Sequence, residues 1–417
     1  MVSAADFGFV PGSEADQSAA LQKAADAAAA RGLPLFLPGG TYRAGDINLT
    51  ANVTIYGVDG ATIIINSGAA PIFHADGQSN ITLRSLSLDG TGGGPMDSRS
   101  GLIAFNKCEL LRLDAIDLHQ GPGNGLFLSG CSGLVTGSHF GGHADVGIFA
   151  IDSHELTISQ NQVVDCGNGG ILVWQSQSGR DGTIVSGNHI ARIAAKAGGN
   201  GQNGNGINIF RADNVIVADN VIENCDFSAI RANTTRNTSI RGNTCTNLSE
   251  TGIYSEFAFS GSVIANNIVD GAAAGISITN LDQGGRLAVC SGNIVRNILP
   301  KSPTNPDSGP VGISAQADTA VTGNTVSNVP GVGINAGYGP YVRNVIIADN
   351  VISEIDTAID VSVAPGAGPV RIAGNMISGA RVNAIIGTEW EKLSSADLAA
   401  DAAQFPNVSI EGNIVGP

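Results

Sequence analysis

A short phrase recurs along this 417-residue chain: a small residue, then Ile or Leu, any residue, and an apolar one. It stands at Gly125-Leu126-Phe127-Leu128, Gly147-Ile148-Phe149-Ala150, Gly170-Ile171-Leu172-Val173, Gly206-Ile207-Asn208-Ile209, Ala229-Ile230-Arg231-Ala232, Gly252-Ile253-Tyr254-Ser255 and Gly275-Ile276-Ser277-Ile278. It starts again at Gly312, Gly333, Ala358 and Ala384. Between the copies runs a second phrase, alternating apolar residues closed by Gly, Asp or Asn and then Asn, as in Val215-Ile216-Val217-Ala218-Asp219-Asn220. Its asparagines fall at 161, 188, 220, 243, 267, 293, 324, 350, 375 and 413. Nine steps therefore cover the whole run, a period of about 28 residues.

A period in the twenties, built from short alternating segments and turn residues without helical spacing, specifies stacked coils, a β-solenoid. Three short strands per coil are expected: the Gly-Ile phrase, the apolar phrase before the asparagine, and the two or three residues after it. Alternation of period two sends Ile171, Val173, Ile207, Ile209, Ile230 and Ile253 inward, and Leu172, Asn208, Arg231 and Tyr254 outward. The recurrent asparagine is expected at a tight turn, in left-handed backbone, bonded to its equivalent one coil away. Open ends of such a stack need caps. Ser13-Glu14-Ala15-Asp16 reads as a capping box opening an Ala-rich helix to about Arg31, followed by the strand Leu35-Phe36-Leu37. Glu389 to Gln404 reads as a helical excursion before Val408-Ser409-Ile410. The expectation is one domain: a cap and first strands over 1–50, about 13 coils over 51–388, and a C-terminal cap over 389–417.

Composition narrows the partners. Only 14% of residues are charged, where about 25% is usual, and the net charge of −15 repels nucleic acids and anionic membranes at long range. No apolar run approaches the roughly 18 residues of a membrane span. The six cysteines (108, 131, 166, 225, 245 and 290) form no CxxC pair and have no His companions, which argues against a zinc site. Cys108 and Cys131 occupy one slot of successive coils, as a disulfide or as an inward ladder of thiols. His119, His139 and His143 fall near coil turns in a Gly-rich stretch.

The opening Asp6-Phe7-Gly8, then Ala15-Asp16-Gln17-Ser18-Ala19-Ala20-Leu21-Gln22 and Leu35-Phe36-Leu37-Pro38-Gly39-Gly40-Thr41-Tyr42, resembles the start of the pectate-lyase superfamily. The remainder resembles a family of bacterial repeat proteins exported by the twin-arginine route, in Gly204-Asn205-Gly206-Ile207-Asn208-Ile209-Phe210-Arg211-Ala212 and Ile253-Tyr254-Ser255-Glu256-Phe257. Together these imply an all-β, single-stranded right-handed parallel β-helix with an N-terminal capping helix and a C-terminal helical excursion. They also imply a secreted or periplasmic home, with any export signal removed ahead of Met1. Enzymes of the superfamily bind sugar chains along the first-strand face. The paired-aspartate and Arg-Ile-Lys patterns of its polygalacturonases and the Asp-Pro-His motif of alginate epimerases are absent here.

Read in order, the outward positions of the Gly-Ile strands are Phe127, Phe149, Leu172 with Trp174, Asn208 with Phe210, Arg231 with Asn233, Tyr254 with Glu256, and Ser277 with Thr279. Later coils offer Ser314, Asn335 and Asp360. Exposed aromatics in a chain with 5% of them indicate contact with a ligand, and apparent insertions at 175–182 and 195–205 flank this stretch. The expected partner is a polysaccharide or oligosaccharide, in a groove from Trp174 to Glu256. Arg180, Arg211, Arg231 and Arg286 supply charge for an anionic sugar, or pair with Asp226, Glu223 or Asp282 on a solvated face.

β-Elimination on a uronate polymer needs a neutralised carboxylate, a base and an acid. Arg231 is the candidate neutraliser and Tyr254 the candidate base or acid, its phenol made more acidic by that cation, or else a stacking platform. Glu256 is placed to orient Arg231 or to hold Ca²⁺; no other cofactor is expected. A glycoside hydrolase would instead pair Glu256 with Asp282 or Asp226. The third reading is a non-catalytic glycan-binding or envelope protein. Asp152 and His154 lie several coils away from this group.

Overall fold

The computed structural model describes residues 1–199, 201–306 and 309–417. The chain divides into two compact units, Met1–Gly199 and Asn200–Pro417, where the sequence reads as a single run of coils. In both, three strands per coil pair in parallel with their equivalents in the next coil. In the first unit the Gly-Ile strands Gly101–Asn106, Asn124–Ser129, Val146–Ile151 and Gly169–Arg180 are in register, Ile103 facing Leu126, Ile148 and Ile171 in turn. In the second, Ile207, Ile230, Ile253, Ile276, Ile313, Ile334, Ile359 and Ile385 form one inward column. All are buried. Burial of each such side chain stabilises by about 1.5–3 kcal/mol, and a one-residue slip would turn the column out to water. The residue opening the phrase is small because the core is full there. A Cβ on Gly252 would sit 2.5 Å from Val269, and one on Gly312 2.6 Å from Val326.

The asparagine ladder forms, with one correction. The left-handed residue is the one before each asparagine: Gln160, Asp219, Asn266 and Asp349 have φ of 57° or 58°, and Gly242, Gly292 and Gly323 φ of 63° to 66°. That turn points the asparagine inward, so that Asn220, Asn243, Asn267, Asn293, Asn324, Asn350 and Asn375 are buried. Each backbone N–H and each Nδ2 in the second unit donates to Oδ1 of the next asparagine, at 2.8–3.0 Å. In the first unit Cys108 and Cys131 fill a similar role as free thiols: the Cys108 N–H donates to Cys131 Sγ, and the Cys131 N–H to Ser153 Oγ.

At the N-terminus a helix, Ser18–Arg31, lays Leu21, Ala24, Ala25 and Ala28 against the first coils and ends at left-handed Gly32. The expected capping box does not form. Ser13 Oγ reaches only the Ala15 N–H, and it is Asp16 that accepts from the Ser18 N–H, because the helix starts at Ser18 rather than beside Ser13. At the far end helix is confined to Leu398–Asp401 with a 3₁₀ turn over Ala402–Gln404. Residues 389–395 complete an antiparallel hairpin, Met376–Glu389 against Lys392–Ser395. No helix among the described residues is long and apolar enough to cross a membrane.

Candidate active site

In the second unit four strands bring the expected residues onto adjacent rungs. Asn208 faces Arg231, which faces Tyr254, which faces Ser277; Phe210 faces Asn233, which faces Glu256. Rungs in such a stack lie about 4.8 Å apart, so side chains 23 residues apart in sequence touch. Arg231 Nε donates to Glu256 Oε1 at 2.6 Å and Nη2 to Oε2 at 3.0 Å, a bidentate pair. Asn233 Nδ2 adds a third bond to Glu256 Oε1 at 2.9 Å. On the opposite side of the guanidinium, Nη1 lies 3.6 Å from Glu250 Oε2, which also accepts from Ser228 Oγ at 2.9 Å. Arg231, Glu250 and Glu256 are 9%, 7% and 2% exposed. The Tyr254 ring, half-buried, lies 5.3 Å from the guanidinium carbon.

This geometry redirects several expected roles. Arg231 is already neutralised by Glu256, and breaking a buried pair costs about 3–5 kcal/mol, so it does not stand open to a substrate carboxylate. Glu256 has its oxygens taken by Arg231 and Asn233, which makes it the group that orients Arg231. The Tyr254 phenol is pushed up, against expectation: burial and then the Glu256 charge outweigh the lowering by Arg231. Tyr254 is thus a protonated phenol and a ring surface. Glu250 is also held above the usual carboxylate range, by burial first, with the Glu256 charge adding and Arg231 and Ser228 opposing. Arg231 itself is held above its ordinary value, its hydrogen bonds to Glu256 outweighing the cost of burial.

Other expected contacts lie elsewhere. Asn208 is buried, and its Nδ2 donates to the Gln202 carbonyl at 3.2 Å. Arg211 lies over the Phe210 ring, 4.7 Å from its centroid. Asp282 is exposed in the 3₁₀ turn Leu281–Gln283, and Arg286 opens a strand in register with Ser260. Both are past the end of the Ser277 strand, off the Arg231–Tyr254 rungs. Asp226 precedes the strand Ile230–Asn233, whose far end faces Glu256. Both aspartates are exposed, whereas Glu250 and Glu256 are buried on either side of Arg231. Of the expected insertions, 175–180 continues the strand Gly169–Arg180 rather than forming a loop. Within 195–205, Asn200 lies outside the described residues. Gly201 closes over Arg231: an added Cβ would fall 1.5 Å from Nη1. Ser302 Oγ and Thr304 Oγ1 bond the Ser249 carbonyl beside Glu250, at 2.7 and 3.2 Å.

In the first unit the outward aromatics are covered rather than exposed. Phe127, Phe149 and Leu172 are buried with Val146 and Ile151, and only Trp174 keeps partial exposure. Successive rungs stack the rings edge to face, Phe127 on Phe149 at 5.5 Å and Phe149 on Trp174 at 5.1 Å, so each ring hides the next. Arg180 is exposed and pairs with Glu155 at 2.7 Å. His139 and His119 turn Nδ1 to Asp117, at 2.7 and 3.4 Å, while His143 is buried against the Leu118 carbonyl. Among the described residues no group of three or more His, Cys, Asp or Glu is disposed to hold a metal ion.

Comparison with known families decides the lineage. Residues 1–96 match the family described as rhamnogalacturonase A/epimerase, pectate lyase-like, and residues 124–297 the right-handed β-helix region. The chain is a pectate-lyase-like β-helix. No curated protein matches this β-helix in sequence. Among solved structures it is similar to PfbA, a surface adhesin of Streptococcus pneumoniae, at TM-score 0.56 and 14% identity, covering 94% of each chain. It is similar to the catalytic unit of a GH87 α-1,3-glucanase from Streptomyces thermodiastaticus, at TM-score 0.52 and 16% identity, covering 100% of this chain and 68% of that one. A DFA-IIIase from Arthrobacter chlorophenolicus matches at TM-score 0.50 and 14% identity, with 90% and 93% covered. At these identities the likeness is one of fold.

Sequence reading missed Glu250, Ser228 and Gly201 in this β-helix. No recurrent phrase marks Glu250, which stands in the turn before Thr251–Glu256 and meets Arg231 only through the register of two coils.

Proposed function

We propose that this β-helix is an exported carbohydrate-active enzyme that hydrolyses glycosidic bonds at the Glu250–Arg231–Glu256 cluster. One observation carries the reading: two buried carboxyls flank a single guanidinium. Glu250 is buried and held toward its protonated form, suited to protonate a leaving oxygen. Glu256, held by three hydrogen bonds from Arg231 and Asn233, is assigned as the base or nucleophile of the pair. Contacting one guanidinium from two sides limits their separation to about 9 Å, within the roughly 5–9.5 Å of paired glycosidase carboxyls. Phe210, Asn233, Tyr254 and Thr279, all partly exposed along successive rungs, would carry the sugar chain, with Tyr254 as a stacking surface.

The β-elimination reading is supported by the contact of Arg231 with Tyr254, but it needs an arginine free of Glu256 and a more acidic phenol. Polysaccharide digests separate the two. Hydrolysis releases new reducing ends without ultraviolet absorbance from an unsaturated product, and both Glu250→Gln and Glu256→Gln abolish it. Appearance of the unsaturated product, or full turnover by Glu250→Gln, would overturn the assignment. Absence of both products would leave a glycan-binding protein.

A further inference from the structure

The aromatic residues that sequence order hides lie in the second unit, far along the chain from Arg231. The protein has five tyrosines and two tryptophans; three of these seven meet at Tyr338, Tyr341 and Trp390. Ring centroids are 5.1 Å apart for Tyr338 and Trp390, at 85°, and 6.2 Å for Tyr341 and Trp390, at 79°. All three remain open to water, at 45%, 36% and 46% exposure. An added Cβ on Gly339 would lie 2.6–2.7 Å from three atoms of the indole's six-membered ring, Cη2, Cζ2 and Cζ3. Gly339 therefore sits beneath the face of the ring, not at its edge. With one face on Gly339 and the two tyrosines perpendicular to it, Trp390 still keeps nearly half of its surface open to water.

The backbone bears a cost to keep it there. Glu389 pairs with Lys392, so Trp390-Glu391 is the two-residue turn of the hairpin, and Trp390 has φ +59°. Such turns favour Asn, Asp or Gly at positive φ; an L side chain there costs about 1–2 kcal/mol. Strain of this kind collects at functional positions. The rim is polar and acidic: the Tyr338 hydroxyl donates to Glu391 Oε1 at 3.4 Å, and Glu389 and Glu391 are both exposed.

We propose that Tyr338, Tyr341 and Trp390 form a second carbohydrate-contact site, which takes a neutral pyranose ring against the exposed surface of this ring cluster. A sugar presents a C–H face to an aromatic surface and hydroxyls at its edge, and Glu391 and Tyr338 supply the acceptor and donor for those hydroxyls. The two glutamates repel an anionic sugar, so a neutral glycan is selected. They equally repel a second copy of this acidic chain, and three rings fall far short of the roughly 1,200–2,000 Å² of a stable protein interface. The site does not depend on the chemistry assigned to Glu250 and Glu256.

The chain's only other tryptophan is Trp174, so a Trp174→Phe protein reports Trp390 alone. Titrating it with soluble β-glucan, α-glucan, xylan and polygalacturonate is expected to give a saturable emission change with at least one neutral polymer and none with polygalacturonate. Affinity electrophoresis in that polymer should show at least tenfold weaker retardation of Trp390→Asn. Asparagine suits the positive φ, so this variant should melt at the same or a higher temperature, which separates loss of ligand from loss of fold. Response to polygalacturonate alone, no response to any polymer, or undiminished retardation of Trp390→Asn would overturn the proposal. So would sedimentation showing a dimer that Trp390→Asn dissociates.

Discussion

Replacing Gly201 by alanine tests whether the Arg231 pair is a pre-formed, tightly covered unit. Gly201 has φ +131°, and its added Cβ falls 1.5 Å from Arg231 Nη1 and 2.2 Å from Cζ. Non-bonded heavy atoms settle near 3.5–4.0 Å, so the guanidinium must retreat by about 2 Å. The Arg231–Glu256 contacts of 2.6 and 3.0 Å do not survive that displacement. Disrupting a buried pair costs about 3–5 kcal/mol, and the strained backbone adds about 1–3 kcal/mol. The variant should thus lose about 4–8 kcal/mol in urea unfolding followed by circular dichroism. Gly198→Ala is the control: its φ is +70° with nothing within 4 Å of the new Cβ, and it should lose only about 1–2 kcal/mol. In an Arg231→Ala background the steric term vanishes, and Gly201→Ala should cost only its backbone strain of about 1–3 kcal/mol, the difference being the coupling between the two sites. Equal small losses for both glycines, or an undiminished cost without Arg231, would refute the reasoning.

Glu250→Gln should lower turnover by about 10²–10⁴-fold, while Tyr254→Phe, which keeps the ring beside Arg231, should change it by less than about tenfold; the reverse ranking in reducing-end assays returns the proton-transfer role to Tyr254. Because the folded pKa of Glu250 is raised, its protonation stabilises the fold below the ordinary value of 4.5, and that contribution is lost as pH rises through the folded value. Glu250→Gln should gain in Tm over wild type as pH rises, and a pH-independent difference counts against the shift. His143, buried and pushed down to about 4 from 6.5, has the opposite sign: its stabilisation is present above 6.5 and is lost as pH falls toward about 4, worth about 3 kcal/mol. His143→Gln should remove that slope from acid unfolding. Asn293→Ala removes the acceptor for the Asn267 N–H and Nδ2 and the donor to the Ile264 carbonyl, leaving buried groups unpaired at about 1–3 kcal/mol each. The Asn267 amide should exchange at least tenfold faster, and unchanged protection would contradict the ladder.

The repeat made the coils, the inward isoleucine column and the asparagine ladder legible, because each follows from local alternation repeated at a fixed period. What it could not supply is anything that depends on side-chain reach between coils. Arg231, Tyr254 and Glu256 were found by their outward slots, yet their roles turned on Glu250, a turn residue of no repeating pattern. A guanidinium paired with Glu256 and hemmed in by the Glu250 carboxyl is not open to a ligand carboxylate, so the same three residues that suggest uronate binding in one dimension support acid–base chemistry in three. Phe127, Phe149 and Leu172 failed as exposed groups for a related reason: outward along a strand is exposed only if the next rung is small, and here each rung carries another large ring. Trp390 was hidden by the opposite error. Its segment looks helical by composition, and the hairpin that replaces the helix exists because the strand ending at Glu389 is already paired in the stack and propagates its extended backbone one turn further. A side chain in that turn escapes the rung-on-rung covering that buried the earlier aromatics. In this fold an aromatic ring therefore stays open to a ligand where the next rung is small, as Ser277 is beside Tyr254, or where the chain leaves the coil, as at Trp390.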